Sequence, residues 1–243
     1  MWQQEADFVI MEGDVHVWRA SLQVNDAAFL ACQKSLSPEE KARANRFYSE
    51  QHGRRFSVGR GALRSLLSRY TGVPAAEVEF EYTANGKPSV RHPKTPIRFN
   101  LSHSGDLCVI AFSATTELGV DIEESERRLE ALEISERFFT PEEHAAIQNG
   151  EDSKRVETFL RFWTAKEAVM KGAGLGLLLE PNAIAVALDP LRIVSLRVDV
   201  QCTWNLHAFD PAPGYIGTLA VDPAIKRFKF FEWPTTAEWM RPD

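Results

Sequence analysis

Alternating apolar and polar residues in several short stretches predict β-strands, because side chains along a strand point to opposite faces. The clearest alternation covers residues 14–22. Shorter strands are predicted over residues 77–82, 97–101, 107–113 and 118–123. Residues 183–233 are mostly strand-like, with turns that contain Pro or Gly. The polar segment Ser102-His103-Ser104-Gly105 separates two of the strands and predicts a loop.

Two segments share one helix-start pattern, a hydroxyl residue followed by Pro and two Glu. They are Ser37-Pro38-Glu39-Glu40 and Thr140-Pro141-Glu142-Glu143. The hydroxyl side chain suits an N-cap, Pro suits the first helical position, and acidic residues suit the first turn. After each start, apolar residues at helical spacing predict a long helix, over 52–70 and 153–172 respectively.

The same order of elements therefore occurs twice: strand, helix start, long helix, strands. This order predicts an α+β (α/β) fold, a pseudo-dimer of two similar halves, each a small antiparallel sheet packed against a long helix. The halves are expected to meet near residue 116, which gives an N-terminal half of residues 1–116 and a C-terminal half of residues 117–243. Hydrophobic residues make up 44% of the 243 residues, enough for a sizeable core.

Composition excludes several classes of protein. The net charge of −6 argues against a general nucleic-acid binder, which needs a basic face. Cys32, Cys108 and Cys202 are far apart and form no CxxC pair, so neither a disulfide framework nor a thiolate zinc site is expected. Neither a signal-peptide pattern nor an apolar run of roughly 20 residues is present, so we expect a cytoplasmic protein without a membrane span.

The segment Glu117-Leu118-Gly119-Val120-Asp121-Ile122-Glu123 contains two carboxylates on one strand face. Two positions apart on a strand, Asp121 and Glu123 have Cα atoms about 7 Å apart, so their side chains can converge on one hard cation. Mg²⁺ typically takes one or two carboxylates and completes its shell with water and phosphate. Gly119, on the same face, is expected to leave room for something bulky. The alternative is a solvated acidic strand face.

Glu167 lies in a helical stripe that is otherwise apolar, with Val156, Leu160, Trp163 and Met170. An isolated carboxylate among apolar side chains is costly, so Glu167 is expected to be paired or bound to a metal. The alternative is a surface pair with Lys171, one turn further along.

Three elements offer anion-binding groups. Arg54 and Arg55 are expected at the start of the first long helix, where a helix N-terminus favours anions. Gly86-Lys87-Pro88 places a Lys on a constrained turn. Ser102-His103-Ser104 offers hydroxyl, imidazole and backbone N–H groups.

Taken together, these motifs resemble the Sfp-type 4′-phosphopantetheinyl transferases. The family's G-[VI]-D-[VI]-E strand, W-x-x-K-E-[AS]-x-x-K helix, N-[ILV]-S-H-S segment and G-K-P turn match residues 119–123, 163–171, 100–104 and 86–88. An N-terminal pattern of Arg, Phe, Gly and Leu matches between Arg46 and Leu67. The resemblance runs from about residue 36 to about residue 188, and Ala168 places the chain with the WxxKEA subgroup.

The resemblance implies two similar halves with coenzyme A bound between them as co-substrate. It implies that Asp121, Glu123 and Glu167 hold Mg²⁺, or Mn²⁺ in its place, against the diphosphate. Catalytic roles are implied for Glu167, Lys171 and Asp121. The residues implied to bind coenzyme A are Arg55, Gly86, Lys87, Pro88, Ser102, His103 and Lys171. Arg43 is a further candidate for its 3′-phosphate, because Glu40 stands where the family often has a basic residue.

The implied reaction moves 4′-phosphopantetheine onto a serine of an apo acyl, peptidyl or aryl carrier protein and releases 3′,5′-ADP. The carriers would serve fatty acid, polyketide or nonribosomal peptide synthesis, and the resemblance leaves that choice open. We expect a monomer that binds no nucleic acid and no membrane. Two alternatives stay open: a Mg²⁺-dependent phosphohydrolase acting on nucleotides, and a non-enzymatic module that binds carrier proteins or coenzyme A.

Overall fold

The computed structural model describes residues 2–4, 7–176, 179–197 and 203–236. The helices are α1 (Asp26–Ser35), α2 (Pro38–Asn45), α3 (Glu50–Thr71), α4 (Ala131–Phe138), α5 (Pro141–Gln148) and α6 (Arg155–Ala173). The strands are β1 (Asp14–Ser21), β2 (Glu79–Tyr82), β3 (Pro88–His92), β4 (Arg98–Ser104), β5 (Leu107–Ser113), β6 (Leu118–Glu124), β7 (Ile184–Leu188), β8 (Leu191–Leu196), β9 (Asn205–Phe209), β10 (Tyr215–Val221) and β11 (Arg227–Glu232). Cys202 and the part of the predicted strand region from 198 to 202 lie outside the described residues.

Both predicted helix starts form capping boxes. The Ser37 hydroxyl accepts from the Glu40 N–H, and the Glu40 carboxylate accepts from the Ser37 N–H at 2.9 Å. Thr140 and Glu143 make the same pair of bonds at the start of α5. The long helices α3 and α6 end at Gly72 and at Gly174, whose positive φ angles close the last turn without a Cβ clash.

Two small sheets make the framework. The first has the strand order β11-β1-β5-β4 and the second the order β6-β10-β9, while β2-β3 and β7-β8 are separate hairpins. Among the named strands of the described residues, every pairing is antiparallel except that of β1 with β11, which is parallel. The last strand of the C-terminal half therefore completes the sheet of the N-terminal half.

The core is layered, because the apolar side chains of each central strand point alternately to the layers on its two sides. Trp18 and Phe112 face α3, where they pack with Leu63 and Leu66. From the opposite faces, Val15, Val17, Val109 and Ala111 pack against Leu118, Val120, Ile122 and Leu219 of the second sheet. The outer face of the second sheet carries α6. The order of layers is thus α3, first sheet, second sheet, α6.

Each half also contains the same buried ion pair. Glu40 of the first capping box accepts from Arg64 of α3 at 2.7 Å, and Arg64 donates further to the Ala75 and Val78 carbonyls. In the second half Glu143 lies 2.8 Å from Lys166 of α6. Lys166 donates to the carbonyls of Pro181 and Ile184.

In both halves the two carbonyls bracket a 3₁₀ turn that leads into a hairpin, Ala75–Glu77 before β2 and Pro181–Ala183 before β7. All four charged side chains of these pairs are at most 8% exposed. We call each set a capping clamp, the first centred on Glu40 and Arg64, the second on Glu143 and Lys166. The repeated clamp shows that the two halves share more than an order of elements.

The predicted fold class is confirmed: the protein is a mixed α/β structure of small sheets and long helices in two similar halves. The parallel β1–β11 pair departs from the expected antiparallel sheets, and α1 and α4 were not predicted. The boundary between residues 116 and 117 stays a prediction. Among the described residues, no helix is long and apolar enough to cross a membrane.

Candidate active site

The site forms where β4 meets the edge of β6. Asn100, Ser102 and Ser104 point to the same side of β4 and use their side chains in place of backbone pairing. They accept from the backbone N–H groups of Val120, Ile122 and Glu124 at 3.0, 3.3 and 3.2 Å. The predicted loop at Ser102–Gly105 is therefore wrong up to Ser104, which ends β4. Local polarity suggested a loop, but these serines are buried between the sheets.

Asp121 is the centre of the site and is only 4% exposed. Its Oδ1 accepts from the Ser102 hydroxyl at 2.8 Å and from the Lys171 ammonium at 2.6 Å. Its Oδ2 is buried and has no hydrogen-bond partner within the described structure. A buried carboxylate oxygen without a donor is costly, so this oxygen is available to a ligand.

Glu123 lies two residues further along the same face of β6. Its Oε2 accepts from Ser104 at 2.6 Å and from Arg127 at 2.6 Å. Each serine of β4 thus holds one carboxylate of β6, in the manner of groups that orient metal ligands from behind.

Glu167 approaches the same region from α6 and is half-buried. Burial raises the pKa of Glu167, and the negative charges of Asp121 and Glu123 raise it further, against the opposing effect of Lys171. Burial also raises the pKa of Asp121, while Lys171 and Ser102 lower it and the charge of Glu123 raises it. The charges of the three carboxylates thus influence one another.

Lys171 pairs with a carboxylate of another element and not with one of its own helix. Its ammonium bonds Asp121 and, at 3.0 Å, the Ser102 hydroxyl. No ion pair joins Lys171 to Glu167 among those of the described residues. The alternative prediction, a helix-surface pair of Glu167 with Lys171, is therefore wrong.

Gly119 does not leave room for a ligand, contrary to the prediction. A Cβ built at Gly119 would lie 1.9 Å from the Ala168 carbonyl oxygen and 2.5 Å from the Gly172 nitrogen. The space beside Gly119 is filled by the backbone of α6. The glycine therefore allows α6 to approach β6 closely enough to bring Glu167 and Lys171 to Asp121.

The predicted phosphate-binding residues spread over two neighbouring hollows. Arg55, Pro88 and His103 line a cavity of about 180 Å³, together with Arg43 and Arg60. Lys87 and Pro88 line an adjacent hollow of about 320 Å³. Gly86 precedes them with a φ of +83° in the turn that joins β2 to β3.

Arg55 and Lys87 already have carboxylate partners. Arg55 pairs with Asp106 at 2.5 Å, and Lys87 pairs with Glu117 at 2.5 Å while donating to the Gly172 carbonyl at 2.7 Å. Asp106 and Glu117 were not predicted, since neither belongs to a recognisable motif. Arg54 lines neither of these two hollows, and its guanidinium bonds the Val24 carbonyl and the Asp26 carboxylate.

The helix-terminus argument for Arg54 and Arg55 is wrong. Because α3 begins at Glu50, its unpaired N–H groups belong to the turn before these residues.

As they stand, no three His, Cys, Asp or Glu side chains in the described parts of the chain are grouped to hold a metal ion. Lys171 and Arg127 occupy oxygens of Asp121 and Glu123 instead. The residues nevertheless fit a hard divalent cation, because they supply three carboxylates, one of them with a buried unpaired oxygen.

Comparisons with known proteins show which family the chain belongs to. Residues 18–115 match the family model for the N-terminal domain of 4′-phosphopantetheinyl transferases, and residues 117–220 match the model for the 4′-phosphopantetheinyl transferase superfamily. The chain belongs to the 4′-phosphopantetheinyl transferase family and is an enzyme of that class.

Individual relatives show how far the similarity extends. The chain is 34% identical to the 4′-phosphopantetheinyl transferase HetI of Nostoc sp., over 88% of this chain and 90% of the relative. It is 31% identical to Sfp of Bacillus subtilis, over 79% and 80%. It is 29% identical to the human L-aminoadipate-semialdehyde dehydrogenase-phosphopantetheinyl transferase, over 69% and 57%. The predicted Sfp-type family is confirmed, while the WxxKEA subgroup stays a prediction.

Proposed function

We propose that this enzyme transfers the 4′-phosphopantetheine arm of coenzyme A to a serine of an apo carrier protein, with Mg²⁺ or Mn²⁺, and releases 3′,5′-ADP. The observation that carries the proposal is the buried, unpaired Oδ2 of Asp121 beside a Lys and two further carboxylates. Such a set suits a diphosphate held with a divalent ion.

Asp121, Glu123 and Glu167 would hold the metal. Ser102 and Ser104 keep the first two carboxylates in place, and the cations that now bond them, Lys171 and Arg127, would give up those oxygens. When bound, the metal would neutralise charge on the diphosphate and strengthen its phosphorus as an electrophile.

The cations around the site would bind coenzyme A by exchanging partners. Arg55, Lys87 and Lys171 each pair with a carboxylate of this chain, and phosphate oxygens would take over those bonds. His103 and Pro88 line the same hollows, and Gly86 sets the turn that presents Lys87. Arg43 lines the cavity with Arg55, which supports its place near the 3′-phosphate.

Glu167 would act as the general base. Its carboxylate lies in the same region as Asp121 and Glu123, where an attacking serine hydroxyl would meet the diphosphate. The serine oxygen bonds to the phosphorus next to pantetheine as its proton passes to Glu167. The bond from that phosphorus to the bridging oxygen breaks, and 3′,5′-ADP leaves with the electron pair. Lys171 offsets the charge that develops on the phosphate oxygens.

The experiment is incubation of the purified chain with coenzyme A, Mg²⁺ and a panel of apo acyl, peptidyl and aryl carrier proteins. Mass spectrometry should show a gain equal to the phosphopantetheine arm on the carrier, and chromatography should show 3′,5′-ADP. A carrier whose acceptor serine is replaced by Ala is the matched control and should gain nothing. Hydrolysis of coenzyme A without a mass gain on any carrier would contradict the proposal and favour a phosphohydrolase.

A further inference from the structure

Two side-chain cations bond two of the proposed metal ligands with similar geometry. Lys171 of α6 lies 2.6 Å from Asp121 Oδ1, and Arg127, just after β6, lies 2.6 Å from Glu123 Oε2. Both carboxylates project from one face of β6 and are backed by serines of β4. Lys171 belongs to the motif that predicts diphosphate contact. Arg127 belongs to none of the motifs, yet its geometry is the same.

The surroundings of Arg127 allow its guanidinium to leave Glu123. The Arg127 side chain is 51% exposed, whereas that of Glu123 is 14% exposed, so the guanidinium covers the carboxylate from the solvent side. Water screens a pair at this position, and a half-exposed ion pair is therefore weakly held. The segment after Glu124 bonds back to the second sheet through Ser125 and the Gly214 carbonyl, which keeps Arg127 close to the site.

The charge balance of the site indicates which group Arg127 binds after it leaves Glu123. Three carboxylates face two cations in the site as described, which leaves a single excess negative charge. With a divalent cation present, the excess becomes positive and the carboxylates no longer need both side-chain cations. A diphosphate provides new acceptors, and a guanidinium can bind phosphate oxygens in a bidentate manner that an ammonium cannot.

We infer that Arg127 is a further phosphate-binding residue of the site, which exchanges Glu123 for the diphosphate of coenzyme A when the metal binds. The inference rests on the proposed function. Arg127 then has two opposite effects: it competes with the metal for Glu123 in the free enzyme, and it strengthens the binding of coenzyme A to the metal-loaded enzyme.

Arg127→Gln separates these effects, with Arg128→Gln as the matched control. Arg128 is adjacent and exposed, and it forms no ion pair with any of the residues that the structure describes. Mn²⁺ alone, titrated into the full chain and followed by electron paramagnetic resonance, should bind Arg127→Gln about 3- to 10-fold more tightly, because a competing charge is gone. Coenzyme A, titrated calorimetrically with Mg²⁺ present, should bind about 3- to 10-fold more weakly, because a charged hydrogen-bond donor is lost.

Steady-state kinetics provide a third measurement. The KM for coenzyme A should rise in Arg127→Gln with a smaller change in kcat, as expected for an interaction made equally in the ground and transition states. Arg128→Gln should match the unmodified enzyme in all three measurements.

Two outcomes would overturn the inference. Unchanged affinities for Mn²⁺ and coenzyme A in Arg127→Gln would show an ordinary surface ion pair. Weaker binding of both would show that Arg127 only supports Glu123. Either result can be told apart from failure of the proposed function, because in that case the unmodified enzyme itself would load no carrier protein.

Discussion

Glu167 combines three features in one helical side chain. It is half-buried, its pKa is raised by burial and by two other carboxylates, and it lies one turn before a Lys that bonds Asp121. Such a shift is typical of a group that binds a ligand or moves a proton. A surface glutamate on the same helix has neither burial nor carboxylate neighbours, as Glu157 shows by pairing with Arg161 at 3.4 Å.

Glu167→Gln keeps the shape of the side chain and removes its charge. We expect kcat for carrier loading to fall about 10²- to 10⁴-fold, the usual contribution of a general base, while the melting temperature changes little. Glu157→Gln is the control and should keep the full rate. Carrier loading by Glu167→Gln at the unmodified rate would show that Glu167 is neither base nor ligand.

His16 links pH to stability. It is 0% exposed, and burial, with a smaller effect of the Lys229 charge, lowers its pKa from 6.5 to about 4. The Trp18 indole donates to the Tyr70 hydroxyl at 2.8 Å, which leaves the Tyr70 proton for His16 Nδ1, also at 2.8 Å. The folded protein therefore holds His16 neutral where the unfolded chain would take up a proton.

The His16 contribution to stability should be intact above about pH 7 and should be lost as pH falls from 6.5 to 4. The loss amounts to about 3 kcal/mol of the free energy of unfolding. Urea unfolding of the unmodified chain and of His16→Phe at pH 7, 6, 5 and 4 measures this contribution as the difference between the two pH dependences. Parallel curves for the two proteins would contradict the prediction.

At the scale of elements, the capping clamps decide how each long helix sits against the short helix before it and the hairpin after it. The buried cation of each clamp joins three pieces of chain, since it bonds the capping Glu and two carbonyls around a 3₁₀ turn. In the second clamp the cation, Lys166, directly precedes Glu167. This clamp therefore holds the segment of α6 that carries the proposed base.

Removing Lys166 leaves the buried Glu143 carboxylate without a cation, whereas Glu40 keeps Arg60 at 3.3 Å when Arg64 is removed. Lys166→Met should therefore lower the free energy of unfolding by about 3–5 kcal/mol, and Arg64→Met by less. Lys154→Met, which breaks an exposed pair with Glu151, is the control and should cost less than about 1 kcal/mol. Denaturant unfolding measures all three, and similar costs for Lys166→Met and Lys154→Met would refute the role of the clamp.

The contact of α6 with β6 depends on the absence of a side chain at residue 119. Gly119→Ala would place a methyl group 1.9 Å from a backbone oxygen, so the helix must move away from the strand. We expect a loss of at least about 3 kcal/mol of stability, comparable to severe overpacking, and loss of carrier loading. In Gly59→Ala the new methyl group meets its nearest neighbour at 3.5 Å, so this variant should stay as stable as the unmodified chain, as urea unfolding can show.

At the scale of the whole molecule, the two halves are not independent. The parallel pairing of β11 with β1 carries the chain from the second half back to the first sheet. Asp14, only 2% exposed on β1, pairs with Arg227 at 2.5 Å and lies 3.5 Å from Lys229, both on β11. The Val15 and Val17 side chains of β1 are covered by strands of the other half.

Residues 1–116 expressed alone should therefore fail to fold cooperatively, because β1 loses a hydrogen-bonding neighbour and the first sheet loses the cover of one face. Residues 117–243 co-expressed with residues 1–116 should restore a soluble complex. Circular dichroism and size-exclusion chromatography of each half, and of the pair, test this expectation. A sharp thermal transition for the first half alone would contradict it.

Strand β11 illustrates which parts of the fold could be predicted from the sequence. Period-two and helical patterns are local, so the sequence predicted β1, β5, β6, α3, α6 and the starts of α2 and α5. The strand pairings depend on residues far apart in the chain, and no local pattern predicts that β11 lies beside β1. Helix α1 was missed because its start at Asn25 lacks the Pro and Glu that marked the other two.

For the site, the sequence by itself predicted which side chains would carry the proposed chemistry, because three carboxylates and a lysine occur in recognisable local patterns of strand and helix. Only the tertiary structure decided which partner each has: serines behind Asp121 and Glu123, a helix backbone against Gly119, Arg127 over Glu123. The reason is physical, since covalent spacing controls the direction of a side chain along one element. Burial, ion pairing and pKa instead depend on the groups that other elements bring within a few ångströms.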